Sequence, residues 1–184
     1  MALTTDTHSL GPDSGRLLVR TSRTGLGRKA GHDLTIEVTR WSGQAVVDTS
    51  EPANSSVTVE IEVDSFEVRD GVGGVKPLTD SDRAEIKKVL QRKILHTAEH
   101  PVITFRSTNV EGTPESFTIG GDLTIMGETQ PVTVRGEAAA DGLSGGATVV
   151  QSRWGIKPYS ALFGALKLAD PVEIEFDLAV PGAG

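Results

Sequence analysis

The chain has 184 residues, a length suited to one domain with a sizeable core and poorly suited to two. A net charge of −7 excludes broad electrostatic attraction to nucleic acid or to anionic membranes, while leaving room for a local basic rim. With no cysteine, disulfide frameworks and thiolate chemistry are excluded, and any metal would need the four histidines and the carboxylates as ligands.

Residues 1–14, "MALTTDTHSLGPDS", read as a polar leader before a single domain over 15–181. They carry neither the basic start nor the apolar run of a secretory signal, and no later segment is an integral membrane span. The expectation is a soluble, cytoplasmic protein that does not bind nucleic acid. "GRLLVRT" opens a series of strand candidates. The following "GLGRKAG", residues 25–31, looks like a glycine-rich phosphate loop but lacks the G-K-S/T ending and a dinucleotide spacing, so it reads as a barrel loop. Arg28 and Lys29 in it are candidate contacts for an anionic ligand head, as is His32 at the start of the next strand, although an imidazole bonded to a neighbouring strand is its commoner role.

Strict alternation then marks strands with one apolar face. "DLTIEVTRW" places Leu34, Ile36 and Val38 together, and "SVTVEIEVD" places Val57, Val59, Ile61 and Val63 opposite its acidic residues, with "GQAVVD" between the two. "DGVGG", residues 70–74, reads as a loop. The rhythm breaks at "LTDSDRAEIKKVLQRKIL". Thr79, Asp80 and Ser81 are candidate caps, and Ile86, Val89, Leu90 and Lys93 or Ile94 recur at helical spacing, which predicts one inserted helix near residues 80–94.

His96, Glu99 and His100 follow in an H-x-x-E-H arrangement that matches an inverted zinc-protease signature. That chemistry needs a helix, so that both imidazoles share a face. Pro101 pushes His100 out of the α region, and the stretch reads instead as a helix exit before a strand. Beyond it, "VITFRSTNV", "SFTIGGDLTI", "PVTVRGEA", "GATVVQSRW" and "VEIEFDLAV" complete about eight or nine strands, divided by turn residues. No serine sits in a nucleophile elbow, and acidic pairs such as Glu60/Glu62 lie on wet strand faces.

Many antiparallel strands with one apolar face each must pack as two sheets or curl into a barrel, and the strand lengths favour the barrel. The predicted fold is mainly β: a single antiparallel lipocalin-like barrel of about eight strands with the helix inserted. Aromatic residues make up only 4% of the chain, so inward faces of modest volume leave space along the axis.

Taken together, "HPVITFRSTNV", "FTIGGDLTIMGETQPVTVRGEA" and "SRWGI…DPVEIEFDL" resemble the YceI-like family of lipid-binding proteins, in the family's own order along the chain. The likeness runs over roughly residues 15–180. Met126 stands where many relatives have histidine, and the family's D-x-H-L element is not evident in "TDSDRAEI". The resemblance implies an elongated barrel holding a polyisoprenoid or similar long-chain amphiphile. It also places His96, Glu99 and His100 in a loop where metal ligation is not expected.

The leading expectation is a non-enzymatic carrier or sequestering protein for an isoprenoid quinone or polyprenyl lipid, without cofactor or metal. Its candidate lining is Leu34, Ile36, Val59, Ile61, Phe105, Phe117, Leu123, Ile125, Val134, Trp154, Phe163 and Phe176. The alternatives are a metal-dependent hydrolase built on His96, Glu99 and His100, and a filled barrel acting as an interaction module, with a homodimer through a sheet face as a candidate assembly.

Overall fold

A computed structural model describes residues 5–139, 142–161 and 166–179. In chain order the strands are β1 (Asp6–Leu10), β2 (Gly15–Arg20), β3 (Arg23–Thr24), β4 (His32–Val38), β5 (Trp41–Val47), β6 (Ser56–Glu62) and β7 (Phe66–Gly73). After helix α1 (Asp80–Val89) come β8 (Val102–Thr113), β9 (Ser116–Ile125), β10 (Glu128–Ala139), β11 (Gly142–Val150), β12 (Ser160–Ala161), β13 (Leu166–Leu168) and β14 (Pro171–Leu178). Eleven of them form one antiparallel sheet in the order β1-β5-β6-β8-β9-β10-β11-β14-β2-β4-β7, and β12, β13 and β3 form a small second sheet. The large sheet curls into a half-barrel.

The antiparallel fold class and the inserted helix are as the sequence predicts, with more strands than expected. Two of the additions have clear causes. Residues 6–10 of the polar stretch become β1 by pairing along β5, from Asp6 opposite Val47 to Leu10 opposite Gly43. The "DGVGG" segment, read as a loop, instead supplies the end of β7, where Gly71 lies opposite Leu34 and Gly73 opposite His32. A bulge hides this strand from a period-two reading: Ile36 faces Val68 but Thr35 faces Asp70, so Arg69 is an extra residue that shifts the alternation.

Alternation otherwise builds the wall as predicted. In β4, Leu34, Ile36 and Val38 are buried, while Glu37 on the outer face takes Arg69 Nε at 2.7 Å and Arg16 Nε at 3.5 Å. Similar outer pairs join Arg20 to Glu175 and Arg40 to Glu62. Solvent screens these exposed pairs, so the inward apolar face, not the ion pairs, holds the sheet's curl.

The helix begins where its capping box dictates: Asp82 N–H donates to Thr79 Oγ1 at 3.1 Å and Thr79 N–H to Asp82 Oδ2 at 2.9 Å. A π-helical turn over Leu90–Ile94 extends it to the predicted limit. His96 then takes a left-handed φ of 47°, the conformation of a helix C-terminal stop. Side chains attach α1 to the sheet, through the Lys87–Glu67 ion pair and a 3.4 Å bond from Gln91 Nε2 to Asp64.

Three phenylalanines on the inner face sit over glycines of neighbouring strands. A Cβ added at Gly121 would stand 2.4 Å from Phe105 Cζ, one at Gly136 2.4 Å from Phe117 Cζ, and one at Gly145 2.6 Å from Phe176 Cζ. Phe117 and Gly136 are directly opposed in the ladder, as are Phe176 and Gly145. The rings therefore fill volume at the wall that side chains would otherwise take. Gly136→Val must expel the Phe117 ring, and is expected to lower unfolding free energy by about 1–3 kcal/mol. Denaturant unfolding at unchanged m-value measures this, and stability equal to the parent chain would remove the ring-on-glycine contact from the account.

Candidate functional site

The half-barrel encloses an elongated cavity of about 650 Å³, within the usual range of about 300–1,000 Å³ for small-molecule sites. Its wall is overwhelmingly aliphatic and aromatic, because the alternating strands turn their apolar positions to it. Ten of the twelve lining candidates border it: Leu34, Ile36, Val59, Ile61, Phe105, Phe117, Leu123, Ile125, Val134 and Phe176. Trp154 does not. Only 1% exposed, it lies behind the wall, where Nε1 donates to the Leu123 carbonyl at 2.8 Å and the Arg153 guanidinium stands 5.6 Å from the ring centre. Its burial satisfies the indole donor within the core, so it braces β9 and is not part of the cavity surface. Phe163 falls outside the described residues.

Helix α1 and its π-turn complete the wall with Ile86, Val89, Leu90 and Ile94. Their helical spacing is plain in the sequence, but which way that face points is set by the side-chain contacts to β7 and Asp64.

Polar residues gather where the cavity meets the surface. At one mouth, Arg23, Gly31, His32, Gln151, Tyr159, Lys167 and the helical Glu85 border it. Lys167 and Glu85 are exposed, so the cavity reaches solvent here. A cleft lined by Val75, Lys76, Pro77, Leu78 and Asp82 shares Ala30, His32, Glu85 and Ile86 with the cavity and continues it outward. Arg23 organises this mouth. Its Nε and its backbone N–H both donate to Asp33 Oδ1, at 3.0 and 2.8 Å, and Nη1 donates to the Gly31 carbonyl at 2.6 Å.

Of the predicted head-group residues, His32 borders the cavity while its Nε2 donates to the Lys76 carbonyl at 2.7 Å, which fixes a proton on that nitrogen. Arg28 and Lys29 do not border it. They lie on a short 3₁₀ turn, exposed on the outer side of the mouth. Arg23 and Lys167 take the rim position instead. No sequence signal marked them, because β3 and β13 are too short to alternate and pair only through each other and β12.

A second polar group, His8, Asp48, Thr49, Ser55 and Glu111, borders the cavity by the β5–β6 turn and the tip of the β8–β9 hairpin. Asp48 ties this turn together. Its carboxylate accepts from Ser50 Oγ at 2.7 Å, from the Glu51 N–H at 2.9 Å, and from Asn54 Nδ2 at 3.4 Å. These bonds, the Ser50 hydroxyl first, lower its pKa from the ordinary 3.8 to about 2.

His96 and Glu99 are exposed on the turn after the helix, and the N–H groups of Glu99 and His100 both donate back to the His96 carbonyl at 3.0 Å. The three side chains project from a tight turn, not from one helical face. Among the described residues no group of three histidine or carboxylate side chains is placed to hold a metal ion. No helix among them is long and apolar enough to cross a membrane.

The profile of the YceI-like domain matches residues 19–180. Protein YceI of Escherichia coli O17:K52:H18 is 32% identical over 103 residues, covering 55% of this chain and 47% of that protein. The UPF0312 protein YE1254 of Yersinia enterocolitica is 31% identical with the same coverage. These alignments span about half the length of the curated relatives. Among solved structures, Burkholderia cenocepacia BcnA superposes with a TM-score of 0.64 over 89% of this chain and 96% of its own, at 20% identity. The Campylobacter jejuni YceI protein gives 0.59 over 79% and 84%, at 14% identity.

Because its folded pKa is depressed, the Asp48 carboxylate stabilises the β5–β6 turn fully above the ordinary value of 3.8, and this contribution is lost as pH falls towards 2. An NMR titration of the Asp48 carboxyl carbon is expected to find its midpoint near 2, and Ser50→Ala to raise it. A midpoint at the ordinary aspartate value would contradict the bonded turn.

Proposed function

The chain belongs to the YceI-like domain family, and from that premise we propose that its half-barrel binds a long-chain amphiphile, an isoprenoid quinone or polyprenyl lipid, and carries or sequesters it without chemical change. One observation carries this reading: a cavity of about 650 Å³ with an apolar wall and polar residues gathered at its surface ends. A hydrocarbon tail gains about 0.8 kcal/mol for each methylene withdrawn from water, so a few isoprene units supply affinity without directional contacts. The tail lies along Ile36, Ile61, Leu123 and Phe176, and the head rests at the Arg23, His32 and Lys167 mouth.

The branched methyls of an isoprenoid suit a wall of β-branched and aromatic side chains, which offers many weak contacts and few polar ones. A cytoplasmic setting and a homodimer through a sheet face are expectations from the sequence and form part of the same proposal.

Organic extraction of protein purified from its native host, followed by mass spectrometry, is expected to recover a polyprenyl lipid. Ala147→Trp fills the cavity from β11 and is expected to reduce uptake of added isoprenoid quinone at least tenfold while the fold is kept. Absence of co-purified lipid together with no quinone uptake by the parent chain would overturn the proposal. Undiminished uptake by a folded Ala147→Trp chain would place the ligand elsewhere.

A further inference from the structure

The Arg23 mouth carries the most exposed apolar side chains of the described residues. Leu26 is 99% exposed, Val75 82% and Val72 63%, with Tyr159 at 39%. They come from three separate segments, around residues 26, 72–75 and 159, yet the pairing brings these segments to one rim. Val72 lies opposite Asp33, the neighbouring His32 bonds the Lys76 carbonyl, Arg23 is opposite Leu168, and the Leu168 N–H donates to the Tyr159 carbonyl at 3.0 Å. Each apolar tip has an exposed cation close in sequence: Arg28 and Lys29 follow Leu26, Lys76 follows Val75, and Lys157 precedes Tyr159, with Lys167 at the opening itself. None of these five cations forms an ion pair among the described residues, whereas Asp33, one acidic group of the rim, is held by Arg23, and Glu85 and Asp82 lie on the helical side.

We propose that this rim is a membrane-docking surface that seats the mouth of the cavity on an anionic lipid bilayer. Separate apolar tips on loops, ringed by cations, match an interface in which the tips enter the acyl boundary and the cations meet lipid phosphates. Each basic residue near such a surface strengthens binding roughly fivefold. A chain of net charge −7 is repelled as a whole by the same surface, so the field favours approach through this cation-bearing end. The same overall charge disfavours a second copy as the occupant. Docked in this way, the apolar cavity and the bilayer interior adjoin through His32 and Ile86, giving a tail a path that avoids water. The inference concerns the rim and does not require that the cavity hold an isoprenoid.

The test is co-sedimentation of the intact chain with cargo-free vesicles of phosphatidylcholine, with and without phosphatidylglycerol. Binding is expected only with the anionic lipid, is expected to weaken in high salt, and should fall at least tenfold in Leu26→Asp/Val75→Asp. Val102→Asp, a change at an exposed residue of β8, should bind as the parent does. Circular dichroism confirms that each variant is folded. No binding by the parent chain, equal loss in Val102→Asp, or a solution dimer broken by the rim variant with vesicle binding unchanged would each overturn the proposal. Quinone uptake from detergent-dispersed stock is measured in parallel. Uptake without docking refutes only the docking surface, and docking without uptake refutes only the lipid-carrier reading.

Discussion

The interior depends on how an apolar sheet face is kept from collapsing into a solid core. Eleven strands that turn valine, isoleucine and leucine inward would gain most by closing on one another. Here, the three inward phenylalanines spend their bulk against the wall, each with its ring end where the β-carbon of Gly121, Gly136 or Gly145 would be. The rings thereby lie against the wall while still bordering the cavity. The glycines are thus space for rings, and the cavity is what remains once the rings have been seated.

From this arrangement follows the distribution of chemistry. An apolar wall gives adhesion without direction, so discrimination falls to the places where the wall ends. There the ladder has no further strand to satisfy, and turns held by Asp33 and Asp48 bring charged and hydroxyl groups to the rim. Arg23, bound to Asp33 and to the Gly31 carbonyl, is held in place by the protein's own groups, so it presents a fixed edge. The outer-face ion pairs involving Glu37, Glu62 and Glu175 keep the opposite side of the same strands wet.

Much of this was legible in the sequence, for reasons that differ by element. The alternation in β4, β6 and β14 follows from one buried face and needs no tertiary information. The helix limits were equally readable, since Thr79 was among the candidate caps at one end and the chain must turn before Pro101 at the other, whereas the Asp82 half of the capping box was not foreseen. The weak helical context of His96, Glu99 and His100 was visible in the same proline. What the sequence hid was long-range. The extra Arg69 in β7 inverts the alternation, and β1 has a strand's form only because β5 offers it an edge. Trp154 and Arg23 show the limit for the site: the first was a lining candidate that the structure buries behind β9, and the second had no sequence signal at all.

One side of the enclosure differs mechanically from the rest. Around the sheet, every strand is hydrogen-bonded to its neighbours, so widening the interior there means breaking a ladder. Along α1 the attachment is a lysine, a glutamine amide and apolar contacts, all of which tolerate sliding. The container is therefore stiff through most of its circumference and elastic at one panel. Widening the interior on the helix side would therefore break dispersion contacts and not backbone hydrogen bonds.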